Sequence, residues 1–168
     1  SIAKQKERLA LMAEITIYTD GSCNNHTHDR GGYGIVLING TVKQFAGGQY
    51  SNTSSARMEI LAIIKGLSKC KEGDIVTVYS DNQYAVNTLA KGWLFKWIKE
   101  NFEQRKNKDL WRQFHKEYLR LSKKVTLKWV RGHDGNQYNE IADRLANLGS
   151  KREIIISDSI KYAKTKVK

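Results

Sequence analysis

The sequence predicts one α/β domain, and three observations lead to this fold class. Five short segments have the alternating or continuous apolar pattern of strands, at residues 15–18, 35–38, 41–46, 75–80 and 125–130. The first three follow one another, whereas the last two are separated by segments with apolar residues at helical spacing. At 168 residues the chain is most economically a single domain with a full core.

The other elements are organised around the first strand. Ile15 and Ile17 alternate with more polar residues, and we expect Asp20 to lie where the strand ends. The end of a central strand is a rigid place from which to direct a carboxylate. Residues 1–13 are helix-prone, and the sequence leaves open whether they are a natural extension, the end of a longer protein or residues left from expression.

A polar loop and a hairpin follow this strand. The loop, residues 24–30, contains two histidines and an acid. A flexible edge of a substrate groove is the favoured interpretation, with a metal site as the weaker alternative. The glycines of residues 31–34 predict a bend or bulge. Asn39-Gly40 predicts a hairpin turn, because both residues tolerate positive φ.

The first long helix contains a second acid. Cap-forming residues at 51–55 precede a helix over 56–67 whose two apolar stripes predict that it is largely buried. Glu59 lies in its first turns, where an unpaired carboxylate is costly. The simpler alternative is that Glu59 pairs with Arg57 or interacts with the helix dipole.

A third acid, Asp81, directly follows the apolar strand at 75–80 and precedes a helix that begins near residues 82–84. An aspartate at such a junction is equally typical of a helix N-cap. The sequence alone leaves both roles open.

Lysines and tryptophans are interleaved in the next segment. Residues 92–99 contain two indole rings among lysines, residues 101–108 are polar and basic, and a helix is predicted over 110–121. Aromatic residues at helical spacing are more often core than ligand platforms. The density of lysines makes a surface that follows a nucleic-acid backbone at least as good an interpretation.

The last strand leads to a histidine loop and a fourth acid. His133 lies between two glycines and is either a surface residue or, beside an acidic cluster, a mobile proton carrier. A helix predicted over 136–148 places Asp143 near the border of its apolar face. The basic segment 151–168 is expected to be a loosely docked or disordered tail.

The charge is large and unevenly distributed. A formal net charge of +12 and a pI near 9.7 favour nucleic acid as partner over an acidic membrane surface or a role in solubility alone. Residues 91–131 hold 13 Lys and Arg against 4 Asp and Glu. No apolar run approaches the roughly 20 residues of a membrane span. Cys23 and Cys70 have neither metal-ligand spacing nor a disulfide framework, which favours a reducing cytoplasm.

The four acids together predict a metal centre. Four carboxylates brought together would repel one another strongly unless cations lay between them. A pair of divalent cations beside a nucleic-acid phosphate meets that requirement.

The order of the motifs resembles type 1 ribonucleases H over roughly residues 14–149. The matching segments are Thr19-Asp20-Gly21-Ser22-Cys23, Gly31-Gly32-Tyr33-Gly34, Arg57-Met58-Glu59, Ser80-Asp81-Asn82-Gln83-Tyr84, Gly92-Trp93 with Trp97, Asp109-Leu110-Trp111, Val130-Arg131-Gly132-His133, and Asn139-Glu140 with Ala142-Asp143 and Leu145-Ala146. The resemblance implies a ribonuclease H-like fold in which a mixed five-stranded sheet is flanked by helices. It implies a monomeric endonuclease, with its catalytic domain at 14–150, that cuts the RNA strand of RNA–DNA hybrids and leaves 5′-phosphate and 3′-hydroxyl ends.

The resemblance also implies the site residues. Two Mg²⁺ ions, with Mn²⁺ as substitute, would be held by Asp20 bridging both, by Glu59 and Asp81 on one and by Asp143 on the other, with His133 assisting proton transfer or product departure. The residues implied to contact nucleic acid are Ser22, Cys23, Asn25, Ser55, Arg57, Asn82, Gln83, Trp93, Lys96, Trp97, Lys99 and Lys106. The region 93–108 resembles the basic protrusion of long-handled members, which grips the DNA strand through its phosphates.

Some features depart from the family pattern. The loop 24–30 lacks the usual prolines, Ser55-Ala56 stands where many relatives have paired asparagines, and the segment between Trp97 and Trp111 is shorter than in long-handled bacterial relatives. Two alternatives remain open: the terminal domain of a reverse transcriptase or longer ribonuclease H, and a catalytically silent module that binds hybrids. A related integrase or transposase is disfavoured, because the histidine loop and the basic protrusion fit ribonucleases H better.

Overall fold

The structure, a computed structural model, describes residues 1–151, apart from the side chains of residues 8–11. Its elements are α1 (Ile2–Leu11), β1 (Glu14–Asn24), β2 (Asp29–Asn39), β3 (Thr41–Tyr50), α2 (Ser55–Leu67), β4 (Ile75–Ser80), α3 (Gln83–Ala90), α4 (Trp93–Lys99), α5 (Lys108–Arg120), β5 (Val125–Trp129) and α6 (Gln137–Lys151). The predicted tail at 151–168 lies, beyond Lys151, outside the described residues.

The five strands form one mixed sheet in the order β3-β2-β1-β4-β5. The hairpin strands β2 and β3 pair antiparallel, and β2 pairs antiparallel with β1. On the other side of β1, β4 and then β5 are parallel to it. The predicted α/β class and the mixed five-stranded sheet are therefore confirmed, with β1 at the centre.

The prediction that the first strand ends at Asp20 is wrong. Parallel pairing with β4 does stop there, with Thr19 opposite Ser80 as its last pair. Antiparallel pairing with β2 continues, with Asp20 opposite Gly34, and β1 runs to Asn24. The strand continues because β2 is longer than expected and still offers it hydrogen-bonding partners.

The glycines at 31–34 lie inside β2 rather than in a bend before it. A register shift at Gly31 and Gly32 confirms the bulge. At Gly34 the reason for glycine is space, because a Cβ there would lie 2.2 Å from the backbone oxygen of Ala142 on α6. The backbones of β2 and α6 can therefore come into direct contact.

The sheet is covered by helices on both faces. Helix α2 packs against β1 and β2, with α5 beside it, and the main core includes Ile17, Ile63, Trp111 and Phe114. Helix α6 lies against β2, β1 and β3 on the opposite face over a smaller cluster around Val36 and Leu145. The predicted helices over 56–67, 110–121 and 136–148 are confirmed to within three residues at each end.

Two local structures fix the ends of helices near the sheet edge. The Ser54 side chain caps α2 by accepting a hydrogen bond from the Arg57 amide at 3.2 Å. Arg120 of α5 donates to the backbone oxygens of Cys70 and Leu67, at 2.8 and 2.9 Å, just beyond and at the end of α2. Within residues 1–151, no helix is long and apolar enough to cross a membrane.

Candidate metal centre and nucleic-acid surface

Three of the four predicted carboxylates meet at one edge of the sheet. Asp20 of β1, Glu59 of α2 and Asp81, which directly follows β4, each offer an oxygen, and these oxygens lie within 4.8 Å of one another. Asp20 and Glu59 are buried and Asp81 is half-buried. Asp20 and Asp81 are neighbours because each comes directly after the last parallel pair of β1 and β4.

The fourth acid, Asp143, reaches the cluster from α6. Its carboxyl group interacts with those of Asp20 and Asp81 and raises the pKa of both. Ala142, the residue before it, is the one whose backbone lies against Gly34, directly opposite Asp20 in the sheet. Because Gly34 has no side chain, α6 approaches β2 closely and brings Asp143 towards Asp20.

A single backbone amide joins the two buried acids. The N–H of Gly21 donates to Oδ1 of Asp20 at 2.9 Å and to Oε1 of Glu59 at 3.0 Å. The other oxygen of Glu59, Oε2, is buried and has no hydrogen-bond partner among residues 1–151. The alternative that Glu59 pairs with Arg57 is therefore wrong, because the guanidinium of Arg57 binds Asp109 instead.

Burial and mutual repulsion raise the pKa values of these acids. Burial, reinforced by the negative charge of Asp81, raises the pKa of Asp20 to about 7. The pKa of Glu59 is raised well above its ordinary value, chiefly by burial and secondly by its interaction with Asp20. The pKa of Asp81 is also raised, chiefly by burial and to a smaller extent by the negative charge of Asp143. Without cations, the cluster therefore retains protons that free carboxyl groups would have lost.

The donor set fits a hard divalent cation. It consists of carboxylate oxygens, which are the ligands that Mg²⁺ and Mn²⁺ prefer, and it contains no thiol or imidazole. The unpartnered Oε2 of Glu59 is a buried acceptor with lone pairs to offer. A cation would also remove the repulsion that keeps the acids protonated. The residues present therefore fit the predicted metals.

His133 lies at the exposed edge of this cluster. It follows β5 in a loop, its φ is +55°, and its side chain is exposed. Its charge lowers the pKa of Asp81, and the residue before it, Gly132, lies against the Asp81 carboxyl group, where a Cβ would be 2.8 Å from Oδ2. Trp129 at the end of β5 donates from its indole nitrogen to the backbone oxygen of Asp81 at 3.1 Å. An exposed imidazole on a loop is able to move between the cluster and solvent.

Four of the residues predicted to contact nucleic acid lie at the end of β1, in the loop after it and at the start of α2. Asn25 and Ser55 hydrogen-bond to each other through side chain and backbone, at 3.0 to 3.2 Å, which closes the loop over the cap of α2. Ser22 donates to Asn147 of α6 at 3.1 Å. Cys23 is a half-buried free thiol whose Sγ lies 3.4 Å from the Asp29 oxygen.

Arg57 is more constrained than the sequence suggested. Its guanidinium makes two hydrogen bonds to Asp109, at 2.7 and 3.0 Å, and a third to Asn107 at 3.3 Å. These bonds attach the start of α5 to the start of α2. The negative charge of Asp109 also offsets the positive charge that Arg57 could otherwise offer to a phosphate.

The remaining predicted contacts lie on α3, α4 and the basic loop after them. Asn82 caps α3 by accepting from the Ala85 amide at 3.0 Å, which gives the N-cap role to Asn82 rather than to Asp81. The exposed residues of this group are Gln83, Lys96, Lys99 and Lys106, and Trp93 is half-buried. Trp97 is only 4% exposed and packs edge-on against Trp111, so it serves the core rather than an open ligand platform.

The sequence analysis missed two residues of the aromatic and basic surface formed by α3, α4 and the loop after them. Tyr84 is 59% exposed and stands beside the ring of Trp93, and Arg105 lies over the ring of Trp97 at 5.1 Å. Together with Trp93 and Lys96 they surround a shallow cavity. The interleaving of aromatic and basic residues was the available signal, but it does not say which rings face outward.

The fold and the carboxylate cluster place the chain among ribonuclease H-like α/β proteins. The RNase H family model matches residues 12–151. The chain belongs to the RNase H family, and it is an enzyme of that class, a nuclease.

Curated relatives agree with this assignment over most of the chain. Ribonuclease HI of Haemophilus ducreyi is 42% identical over 149 residues, which cover 83% of this chain and 92% of the relative. Ribonuclease H of Trichodesmium erythraeum is 39% identical over 152 residues, which cover 86% of this chain and 94% of the relative.

Solved structures show the same fold at lower sequence identity. LC9-RNase H1, described as a type 1 RNase H with the type 2 active-site motif, superposes with a TM-score of 0.70 at 22% identity and covers 83% of this chain and 72% of its own. A foamy viral protease-reverse transcriptase in complex with an RNA/DNA hybrid superposes with a TM-score of 0.68 at 19% identity, covering 83% of this chain and 20% of its own.

Proposed function

We propose that this nuclease hydrolyses the RNA strand of RNA–DNA hybrids at internal positions, using two divalent cations, and leaves 5′-phosphate and 3′-hydroxyl ends. The observation that carries the proposal is the largely buried carboxylate cluster of Asp20, Glu59 and Asp81, in a chain of the RNase H family. One oxygen of Glu59 has no partner among residues 1–151. Curated relatives that share the ribonuclease H name cover more than four fifths of the chain.

Asp20, Glu59, Asp81 and Asp143 are the residues that would hold Mg²⁺, or Mn²⁺ in its place. When bound, two such ions lower the pKa of an attacking water and stabilise the oxygen that leaves in an in-line displacement. Asp20 interacts with each of the other three acids, so it is the residue that would take part in holding both ions. The Gly21 amide orients the carboxyl groups of Asp20 and Glu59.

His133 is the residue proposed to move a proton. It is exposed, lies on a loop, and stands close enough to Asp81 to influence its pKa. An imidazole ring can both accept and donate a proton, which suits it to general acid–base work. In this position it can take a proton from the reacting side of the cluster and deliver it to solvent, or assist product departure.

Binding of the hybrid is proposed to use the two sides of the cluster differently. Asn25 and Ser55 lie at the α2 cap, and Ser22 lies nearby on β1 with its side chain against α6; their hydroxyl and amide groups can meet the 2′-hydroxyls that distinguish RNA. Trp93, Lys96, Lys99 and Lys106 lie on the other side, as the basic protrusion that grips DNA phosphates independently of sequence. We further propose that the protein acts in the cytoplasm as a monomer.

Cleavage assays test the proposal directly. A labelled RNA–DNA hybrid should be cut only in its RNA strand with Mg²⁺, whereas EDTA should stop cutting, and matched RNA–RNA and DNA–DNA duplexes should stay intact. Resistance of the fragments to further 5′-phosphorylation before phosphatase treatment would identify 5′-phosphate ends.

A catalytically silent binding module gives a different result. It would bind the hybrid without metal and leave both strands whole, with Mn²⁺ as well as with Mg²⁺. That outcome, obtained with folded protein, would overturn the proposed activity.

A further inference from the structure

Gly21 occupies an unusual place between the two buried acids. It follows Asp20 on β1, and its one N–H group donates to a carboxyl oxygen of Asp20 at 2.9 Å and to one of Glu59 at 3.0 Å. These two carboxyl groups come from different elements, 39 residues apart in the chain. Their relative position therefore depends on how closely β1 approaches α2 at this point.

The approach at Gly21 is one of backbone against backbone. A Cβ at residue 21 would lie 2.4 Å from the Glu59 nitrogen and 2.4 Å from the Met58 carbonyl carbon. Ordinary van der Waals contact begins at 3.4 Å, so any side chain would have to push the two backbones about 1 Å apart. No side-chain rotation can relieve this contact, because the atoms on the α2 side belong to the peptide unit that leads into Glu59.

We propose that Gly21 is a positioning residue for the metal centre. It sets the spacing between Asp20 and Glu59 in two ways. Because it has no side chain, α2 can contact β1, and its amide N–H donates a hydrogen bond to each of the two carboxyl groups. This inference rests on the proposed function, because it assumes that these two acids bind the catalytic cations.

A second glycine at the same interface makes a matched control possible. Gly66 lies on α2 two turns further along, and a Cβ there would meet the side chain of Ile17 on β1 at 3.2 Å. Gly66→Ala therefore disturbs the packing of the same helix on the same strand. It does so against a movable methyl group and away from the acids.

The test compares Gly21→Ala and Gly66→Ala with the wild type. We expect Gly21→Ala to weaken Mg²⁺ or Mn²⁺ binding, measured by calorimetry without substrate, by about 10- to 100-fold. The increase in melting temperature caused by Mg²⁺ should shrink accordingly. With metal in excess, kcat should remain about 100-fold low, because a displacement near 1 Å disrupts reacting geometry, while the KM for hybrid stays near the wild-type value. Gly66→Ala should keep metal affinity and kcat, and its effect on the melting temperature should be small, because the helix propensity gained by alanine offsets the contact with Ile17.

Two outcomes would overturn the inference. One is wild-type metal affinity and kcat in folded Gly21→Ala; the other is an equal loss of metal affinity in Gly66→Ala, which would make the effect one of general packing.

If Gly21→Ala does not fold, an ester at residue 21, made by incorporating glycolic acid, decides the matter. It removes the N–H and keeps the space, so unchanged metal affinity in that protein would reject the proposed role.

Failure of the proposed function would be recognised separately. In that case the wild-type protein itself would not cut hybrids in Mg²⁺. A wild-type protein that cuts, beside a Gly21→Ala protein that binds metal normally, would reject only the role of Gly21.

Discussion

At the scale of single residues, burial determines the chemistry of the carboxylate cluster. Asp20 is 5% exposed and Glu59 is 8% exposed, and their pKa values are raised chiefly because solvent is excluded from them. The same exclusion of water strengthens their attraction for a cation. The cluster is thus unfavourable alone and favourable with metal, as a binding site should be.

Asp20→Asn should abolish cleavage and leave hybrid binding intact. The substitution keeps the shape of the side chain and removes the central negative charge, so loss of metal assistance should reduce kcat by at least about 10³-fold. Gel cleavage and binding assays would measure the two effects. The control is Asp134→Asn, an exposed acid in the loop after β5, which should behave as wild type. Residual activity near that of wild type would remove Asp20 from the metal site.

His133→Ala should slow turnover without eliminating it. Loss of a positioned proton carrier costs on the order of 10²-fold in rate, and the KM for hybrid should change little because the imidazole is not proposed to bind substrate. His26→Ala, an exposed histidine in the loop after β1, is the matched control. If His133→Ala were as inactive as Asp20→Asn, the imidazole would be essential rather than auxiliary.

At the scale of elements, sequence patterns predicted most helices and strands because apolar periodicity reflects burial. They also placed each of the four acids on the correct element. The end of β1 was missed because pairing with β2 depends on a distant segment, which no local pattern contains. The contacts at Gly21 and Gly34 were missed for a similar reason, since the atoms that require glycine belong to α2 and α6.

Ion pairs between different helices also could not be predicted from the sequence. A lysine- and arginine-rich sequence indicates a basic surface, but it does not show that Arg57 is already bound to Asp109. The spacing of the aromatic residues also does not show that Trp97 is buried and Tyr84 is exposed. Such assignments depend on which face of a helix meets its neighbour.

Arg120→Ala should loosen α5 from the end of α2. Its guanidinium satisfies the Leu67 and Cys70 carbonyl oxygens, and the loss of these charge-assisted bonds should lower the free energy of unfolding by about 1–3 kcal/mol. Chemical denaturation would measure this. Lys116→Ala, an exposed residue of the same helix, should cost less than about 0.5 kcal/mol. Equal effects of the two substitutions would contradict a structural role for these bonds.

At the scale of the whole molecule, positive charge and the acidic cluster occupy different regions. The excess of Lys and Arg over Asp and Glu is concentrated in residues 91–131, which include α4, the basic loop and α5. The carboxylates lie at the edge of the sheet beside it. A polyanion can therefore be attracted by one region while its phosphate reaches the other.

Replacing Lys96, Lys99 and Lys106 by glutamine should weaken hybrid binding and flatten its salt dependence. Removing one lysine–phosphate ion pair should reduce the slope of log K against log salt by nearly one, so a reduction of about 2 to 3 is expected. The control replaces three exposed lysines elsewhere, Lys4, Lys6 and Lys71, for the same change in net charge. An unchanged slope for the first variant would exclude this region as the DNA grip.

The stability of the metal-free protein should fall as pH rises from about 4 to about 7. Over this range folded Asp20 keeps a proton that the unfolded chain has lost, because its pKa is raised from 3.8 to about 7. Asp20→Asn should remove much of this slope and stabilise the metal-free protein at pH 8 by on the order of 2–4 kcal/mol. Mg²⁺ should stabilise only the wild type strongly. Melting curves with EDTA and with Mg²⁺, at several pH values, would show both effects, and a wild-type stability that rises over this range would contradict them.

The position of Trp129 gives the molecule a built-in optical probe. Its indole is 48% exposed and is hydrogen-bonded to the backbone of Asp81, whereas Trp97 and Trp111 are buried and Trp93 is half-buried. Soluble quenchers of fluorescence will therefore act most strongly on Trp129. A duplex seated over the cluster would shield this ring, so arrival and departure of substrate can be followed by emission in the unlabelled protein.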